Sequence, residues 1–167
     1  LDELLAAIER MQDARVVITG VNADAGHHLV SQSMTAFANK HPDRVSLHSS
    51  LGQSRYLSVM RLASAVVGNS SSGIIEAPAL GVPTINIGTR QHGRLKAYSV
   101  IDCAEESEAI FNAIRKALEP AFRSSIAGQP LPYGHGGAAR MMKDVLKAYS
   151  AEQLREPKTF QDMIGRL

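Results

Sequence analysis

"VVGNSSSGIIEAPALGVPTINIGTRQHGR", residues Val66–Arg94, holds two strand-to-loop passages in succession. The short runs around Val66 and over Thr84–Ile87 are apolar and partly β-branched, as suits buried strands. Between them Gly73–Leu80 is apolar at helical length, and Pro78 removes one helical hydrogen bond, so a helix over Ile74–Leu80 is short or kinked. Strand, helix and strand in this order make a βαβ unit, which predicts a parallel pair.

The same alternation extends outward in both directions. Upstream, a helix over Leu1–Met11 leads to a strand over Ala14–Thr19, whose continuous apolar run suits a sheet covered on both faces. A helix from His27 to about Asn39 ends at His41-Pro42, since the residue before proline avoids helical angles. A strand at Val45–His48, a helix at Arg55–Ser64 and a strand at Ala65–Val67 follow. In that helix Tyr56, Val59, Met60 and Ala63 recur at helical spacing. Downstream lie a strand near Ser99–Asp102, a helix over Ser107–Leu118 and a helix over Ala138–Tyr149. Glu105, Glu106 and Glu108 stand at the positive end of the Ser107 helix, where carboxylates are favoured. The predicted fold class is α/β, a Rossmann-like parallel sheet with helices on both faces. One domain over 1–150 and a polar tail over 151–167 are expected.

Such a fold restricts where a ligand binds, namely to the loops at the carboxyl ends of the strands. The unusual residues fall there. In Gly68-Asn69-Ser70-Ser71-Ser72-Gly73 the glycines admit close backbone approach. The serines supply donors, and the first amides of the next helix suit an anion. The same residues also serve in a plain capped turn. Glu76 is the one charge in an apolar helix and lies one turn after Ser72. It suits the hydroxyls of a ribose, or simply faces solvent. Arg90 and Arg94 follow the next strand and are able to grip phosphate in bidentate fashion, with Lys96 adding to a positive patch. Asn22, after the first strand, is a candidate for reading a polar group. Together these describe a nucleotide diphosphate pocket. Neither G-x-G-x-x-G after the first strand nor G-x-x-x-x-G-K-[ST] is present, and a nucleotide-sugar fits better.

The totals exclude several other classes. The 167 residues are 44% hydrophobic and 20% charged, with a net charge of +2 and 5% aromatics, which argues against a nucleic-acid module. No apolar run approaches the roughly 20 residues of a membrane helix, so no membrane partner is expected. The single cysteine, Cys103, forms no internal disulfide and is compatible with a reducing compartment. The start, LDELLAAIERM, reads as an amphipathic helix without a leader, and cytoplasmic location is the expectation. It has no Met at its head, as in a piece of a longer protein. The six histidines show no ligand spacing, and no metal is expected.

The stretch GNSSSGIIEAPALGVPTINIGTRQHGR closely resembles the C-terminal domain of hydrolysing UDP-N-acetylglucosamine 2-epimerases of the sialic-acid and legionaminic-acid pathway type. The resemblance runs from VNADAG at Val21 through PYGHGGAARMMKDVL at Pro132–Leu146, and KTFQDM in the tail is similar to the family's ending. Ser70-Ser71-Ser72-Gly73 and Thr89-Arg90-Gln91-His92-Gly93-Arg94 match the hydrolysing members; the non-hydrolysing ones carry N-S-G-G and T-E-R-P-E there. One departure is His135, where the family usually has aspartate.

The resemblance implies the C-terminal half of a glycosyltransferase-B-like two-domain fold with the active site in the cleft. It implies that Ser70 and Ser71 meet the diphosphate and Glu76 the ribose. Asn22 and Arg90 complete the UDP contacts, Leu51 borders the uracil, and Ser72, Gly73 and Arg94 are secondary. The implied partners are UDP, UDP-N-acetylglucosamine and an N-terminal domain, with a homodimer for the longer protein and no cofactor. The family's catalytic carboxylates and histidine lie in segments this sequence does not contain, so no catalytic residue is expected here and the chain alone is expected to be inactive. Other readings of the same pocket are the UDP-sugar half of a glycosyltransferase and a non-catalytic nucleotide-sugar sensor.

Overall fold

The computed structural model describes residues 1–20, 27–134, 136–150 and 152–155. Residues Leu1–Gly134 form one compact unit and His135–Leu167 a second. In the first unit, α1 (Asp2–Glu9), β1 (Val16–Thr19), α2 (His27–Lys40), β2 (Val45–His48) and α3 (Gly52–Leu62) are followed by β3 (Val66–Gly68) and α4 (Ser72–Ala79). Then come β4 (Thr84–Ile87), β5 (Val100–Cys103), α5 (Ser107–Leu118) and α6 (Pro120–Ile126). The second unit carries α7 (Ala138–Ala148) and a 3-10 turn at Gln153–Arg155.

All strand pairs are parallel, as the βαβ reading requires. Hydrogen bonding divides them into two sheets among the described residues, β1-β2 and β3-β4-β5. In the larger sheet Val66 stands opposite Thr84 and Thr84 opposite Val100, so residues in register share a face.

Strand alternation separates the two faces by chemistry. Val67, Ile85, Ile87, Ile101 and Cys103 point to one side and pack with Ala7 of α1 and Ile110, Ala113, Ile114 and Ala117 of α5. Val66 points to the other side and packs with Met60 of α3, Ala77 of α4 and Val82. Thr84 shares that second face, and its hydroxyl donates to the Gly73 carbonyl at 2.7 Å. A Cβ on Gly73 would lie 2.7 Å from Thr84 Cγ2. Glycine is therefore what lets α4 lie directly on β4. The expected helix-covered parallel sheet is present, with α1 and α5 on one face and α3 and α4 on the other.

One local expectation differs from what is found, and two features go beyond what the sequence suggests. The continuous apolar run Ala14–Thr19 predicts a strand covered on both faces, but Val17 is 46% exposed. Its side alternates with that of Val16 and Ile18, and no described element buries it. Glu108 stands in the first turn of α5 as expected, while Glu106 at its N-cap makes no side-chain cap hydrogen bond. The Ser107 N–H instead donates to the Glu3 carboxylate at 2.7 Å, from a helix far away in sequence. Finally, α6 fills a stretch for which the sequence suggested no element. Pro120 at its first turn starts it, because proline costs nothing where helical N–H groups lack partners.

Candidate functional site

β3 and β4 are hydrogen-bonded neighbours, so the loops at their carboxyl ends lie side by side. The first, Asn69–Ser71, feeds α4; the second runs from Gly88 to Ser99. Gly88 opens the second loop at φ 72°, a left-handed conformation that favours glycine. A turn follows, in which the His92 N–H bonds the Thr89 carbonyl at 2.8 Å and the Arg94 N–H bonds the Gln91 carbonyl at 3.3 Å.

The serine turn is folded more tightly than the sequence suggests. The Ser72 N–H donates to Ser70 Oγ at 3.3 Å. The Gly73 N–H takes the Ser70 carbonyl at 3.2 Å and the Ile74 N–H the Ser71 carbonyl at 3.0 Å. These first amides of α4, expected to face an anion, are therefore occupied by the turn itself. Among the described residues, the N–H groups of Ser70 and Ser71 and the Ser71 hydroxyl make no hydrogen bond. These donors stand at the positive end of the α4 dipole, and Ser70 is exposed while Ser71 is half-buried.

The turn is gripped from two sides. From α3, the Tyr56 hydroxyl donates to Ser72 Oγ at 2.9 Å, which places the first half of α3 against the start of α4. From the arginine loop, Gln91 Nε2 donates to the Asn69 carbonyl at 2.7 Å. Sequence reasoning took Tyr56 only as a core position at helical spacing and assigned Gln91 nothing. The single available signal was a glutamine set between an arginine and a histidine in a short loop.

The other expected residues fall as follows. Leu51 precedes the first turn of α3 at its N-cap and is half-buried, and Glu76 is exposed one turn into α4. Arg90 and Arg94 are both exposed on the second loop. Gly73 is buried, and its lack of a side chain lets α4 pack on β4. Asn22 and His135 lie outside the described residues, as does KTFQDM. Structure thus brings the serine turn and the arginine loop together, with α3 at their side.

Lys96 does not extend the positive patch. Its ammonium is taken by both carboxylate oxygens of Asp102, at 2.7 and 2.8 Å. Asn86 Nδ2 also donates to that carboxylate at 2.7 Å, from the register position opposite on β4. Burial pushes the Asp102 carboxyl up, but the hydrogen bonds from Lys96 and Asn86 and the charges of Lys96 and His92 outweigh it and hold it below its ordinary value. Burial, helped by the Asp102 charge, raises the Cys103 thiol, so Cys103 is a poor nucleophile at neutral pH. Among the described residues no three His, Cys, Asp or Glu side chains are grouped as a metal site needs, and no helix is long and apolar enough to cross a membrane.

Chemically, the paired loops offer donors for an anion and carry two arginines, with a carboxylate nearby. The family model described as UDP-N-acetylglucosamine 2-epimerase matches residues 1–147. Polysialic acid biosynthesis protein P7 of Escherichia coli is 32% identical over 164 residues, covering 98% of this chain and 41% of that protein. The Campylobacter jejuni GDP/UDP-N,N'-diacetylbacillosamine 2-epimerase (hydrolyzing) is 39% identical over 99 residues, covering 59% of this chain and 26% of that protein.

Among solved structures, the UDP-GlcNAc 2-epimerase of Neisseria meningitidis bound to UDP-GlcNAc superposes with a TM-score of 0.67 at 16% identity, over 89% of this chain and 41% of that one. The S. aureus MnaA–UDP co-structure gives 0.69 at 18% identity, over 96% and 43%. At such identities the likeness speaks for the fold, a Rossmann-like half of a glycosyltransferase-B-like architecture. The chain spans about two-fifths of the length of these proteins or less. On the family match across nearly its whole length, this chain belongs to the UDP-N-acetylglucosamine 2-epimerase family.

Proposed function

We propose that this chain supplies the UDP-binding half of a hydrolysing UDP-N-acetylglucosamine 2-epimerase. The observation that carries the reading is the apposition of the serine turn, with its free Ser70 and Ser71 donors, and the arginine loop at the ends of adjacent strands. Family membership supports it. So do the names of relatives that act on UDP-linked diacetylbacillosamine by hydrolysis.

In this reading the Ser70 and Ser71 N–H groups and the Ser71 hydroxyl take the diphosphate, and Arg90 pairs with its charge. Glu76 accepts from the ribose hydroxyls, and the backbone at Leu51 borders the uracil, with Asn22 completing the contacts. The reaction removes the proton at C2 of the sugar, expels UDP from C1 to leave a 2-acetamidoglucal, and adds water to give free N-acetylmannosamine and UDP. Charge builds on the departing diphosphate, so donors fixed in advance lower the barrier at the step where they matter. The proton at C2 needs a base held against the sugar. That base belongs to the rest of the longer protein, and the chain alone has no turnover.

Calorimetric titration of UDP into the chain tests the pocket. A charge-assisted hydrogen bond is worth about 1.5–3 kcal/mol, so Arg90→Ala should weaken UDP by roughly 10- to 100-fold. Ser71→Ala should cost several-fold. Unchanged affinity in both variants would sink the pocket. For the full-length protein, free N-acetylmannosamine formed without a sugar acceptor separates the epimerase from a glycosyltransferase. Parallel assays with UDP-N-acetylglucosamine and its diacetylbacillosamine analogue decide the sugar.

A further inference from the structure

We propose that Gln91 is a positioning residue that sets the spacing between the serine turn and the arginine loop, and with it the fit of a nucleoside diphosphate. The proposal rests on the UDP reading above. Gln91 lies in the middle of an exposed loop yet is only 4% exposed, while Arg90 and His92 beside it face solvent. Glutamine in such a loop ordinarily stays in water.

Both ends of this residue are engaged. Its Nε2 donates to the Asn69 carbonyl at 2.7 Å, directly before Ser70 and Ser71. Its backbone carbonyl accepts from the Arg94 N–H. One side chain therefore joins the backbone that presents the serine donors to the backbone that presents the arginines, across 22 residues of sequence.

The other half of the amide argues that this bond, and not core stability, is why glutamine is there. Gln91 Oε1 is buried and has no hydrogen-bond partner among the described residues. An acceptor buried without a partner carries a desolvation cost. Methionine would fill the same space without it. What methionine cannot do is donate to Asn69. Groups already held at ligand spacing bind more tightly than groups that must be ordered on binding. The unpaired oxygen is then the cost of holding the two loops at that spacing.

The test combines three measurements on Gln91→Met. Thermal unfolding of the variant should occur at or above the wild-type midpoint, whereas UDP affinity should fall by about 10-fold. A double-mutant cycle with Arg90→Ala should be non-additive, with Gln91→Met costing under about 2-fold once Arg90 is gone. Hydrogen exchange on the ligand-free chain should quicken together at the hydrogen-bonded amides of the two loops, Ser72 and Gly73 in one and His92 and Arg94 in the other.

Wild-type UDP affinity in Gln91→Met, or an equal loss with and without Arg90, overturns the positioning role. So does an affinity loss that merely tracks a lower unfolding midpoint. If the wild-type chain itself fails to bind UDP, the pocket reading fails and the role in ligand fit fails with it. The exchange arm needs no ligand and still judges the tie: unchanged exchange overturns it, and faster exchange in both loops upholds it.

Discussion

α5 and α7 are written in the same pattern and are used differently. In α5 the apolar residues Ile110, Ala113, Ile114 and Ala117 recur at helical spacing and all are buried against the sheet and α1. In α7 Met141, Met142, Val145 and Leu146 recur with the same spacing, yet no residue of the helix is buried, and Met142 is 63% exposed. The ends differ as well. The Ser107 N–H of α5 is held by Glu3 of α1, while α7 follows Gly137 with no side-chain cap. Periodicity thus says that a helix has an apolar face. It does not say what covers that face, and only covered surface stabilises.

The contrast is open to direct breaking by truncation of one apolar side chain on each helix. Ile110→Ala should destabilise the chain by about 2–5 kcal/mol in urea unfolding, through lost burial and a cavity. Met142→Ala should change it by no more than about 0.5 kcal/mol. Equal losses would show that α7 is covered after all. The next largest effect belongs to the other face of the sheet. Gly73→Ala drives a methyl against Thr84 Cγ2 and should cost about 1–3 kcal/mol as overpacking. Thr84→Ser removes that methyl while keeping the hydroxyl bond to Gly73, so the double variant should recover most of the loss. If it does not, the close fit of α4 on β4 is not what requires glycine.

The α1–α5 cap sharpens the comparison at a smaller scale. Glu3→Ala leaves the Ser107 N–H without its carboxylate, and caps of this kind are worth roughly 0.5–2 kcal/mol. Urea midpoints of Glu3→Ala and Glu106→Ala compare the distant acid with the local one. The distant acid should matter more.

These same particulars show what could be read beforehand. Strand Thr84–Ile87 and helix Ser107–Leu118 were legible to the residue, because β-branched runs and helical spacing are local signals. So was the parallel pairing, which follows from the order of elements. The Glu3 cap, the exposure of Val17 and the tie from Gln91 to Asn69 depend on residues distant in sequence, and no periodicity carries them. The candidate site divides the same way. The serine and arginine motifs announced themselves by composition, and the structure set their loops side by side. Lys96 looked like part of the patch because it is basic, but its partner Asp102 comes from the next strand.

That Lys96–Asp102 pair gives the smallest expected effect, with a defined sign in pH. Asp102 has a folded pKa below its ordinary 3.8, since the hydrogen bonds from Lys96 and Asn86 outweigh the upward push of burial. A carboxyl of this kind stabilises the folded chain above its unfolded value, and the contribution is lost as pH falls through the lowered folded value. The Asp102 side chain is 56% exposed, so solvent screens the pair and Lys96→Met should cost less than about 1 kcal/mol at pH 7. Unfolding curves of wild type and Lys96→Met should converge as pH drops below 3.8. The pair in α7, Lys143 with Asp144 at 3.8 Å, is exposed on both sides, and Lys143→Met should leave stability unchanged at either pH. A larger pH effect from Lys143 than from Lys96 would reverse the contrast between the two units, since only Asp102 has a second donor, Asn86, reaching it from a neighbouring strand.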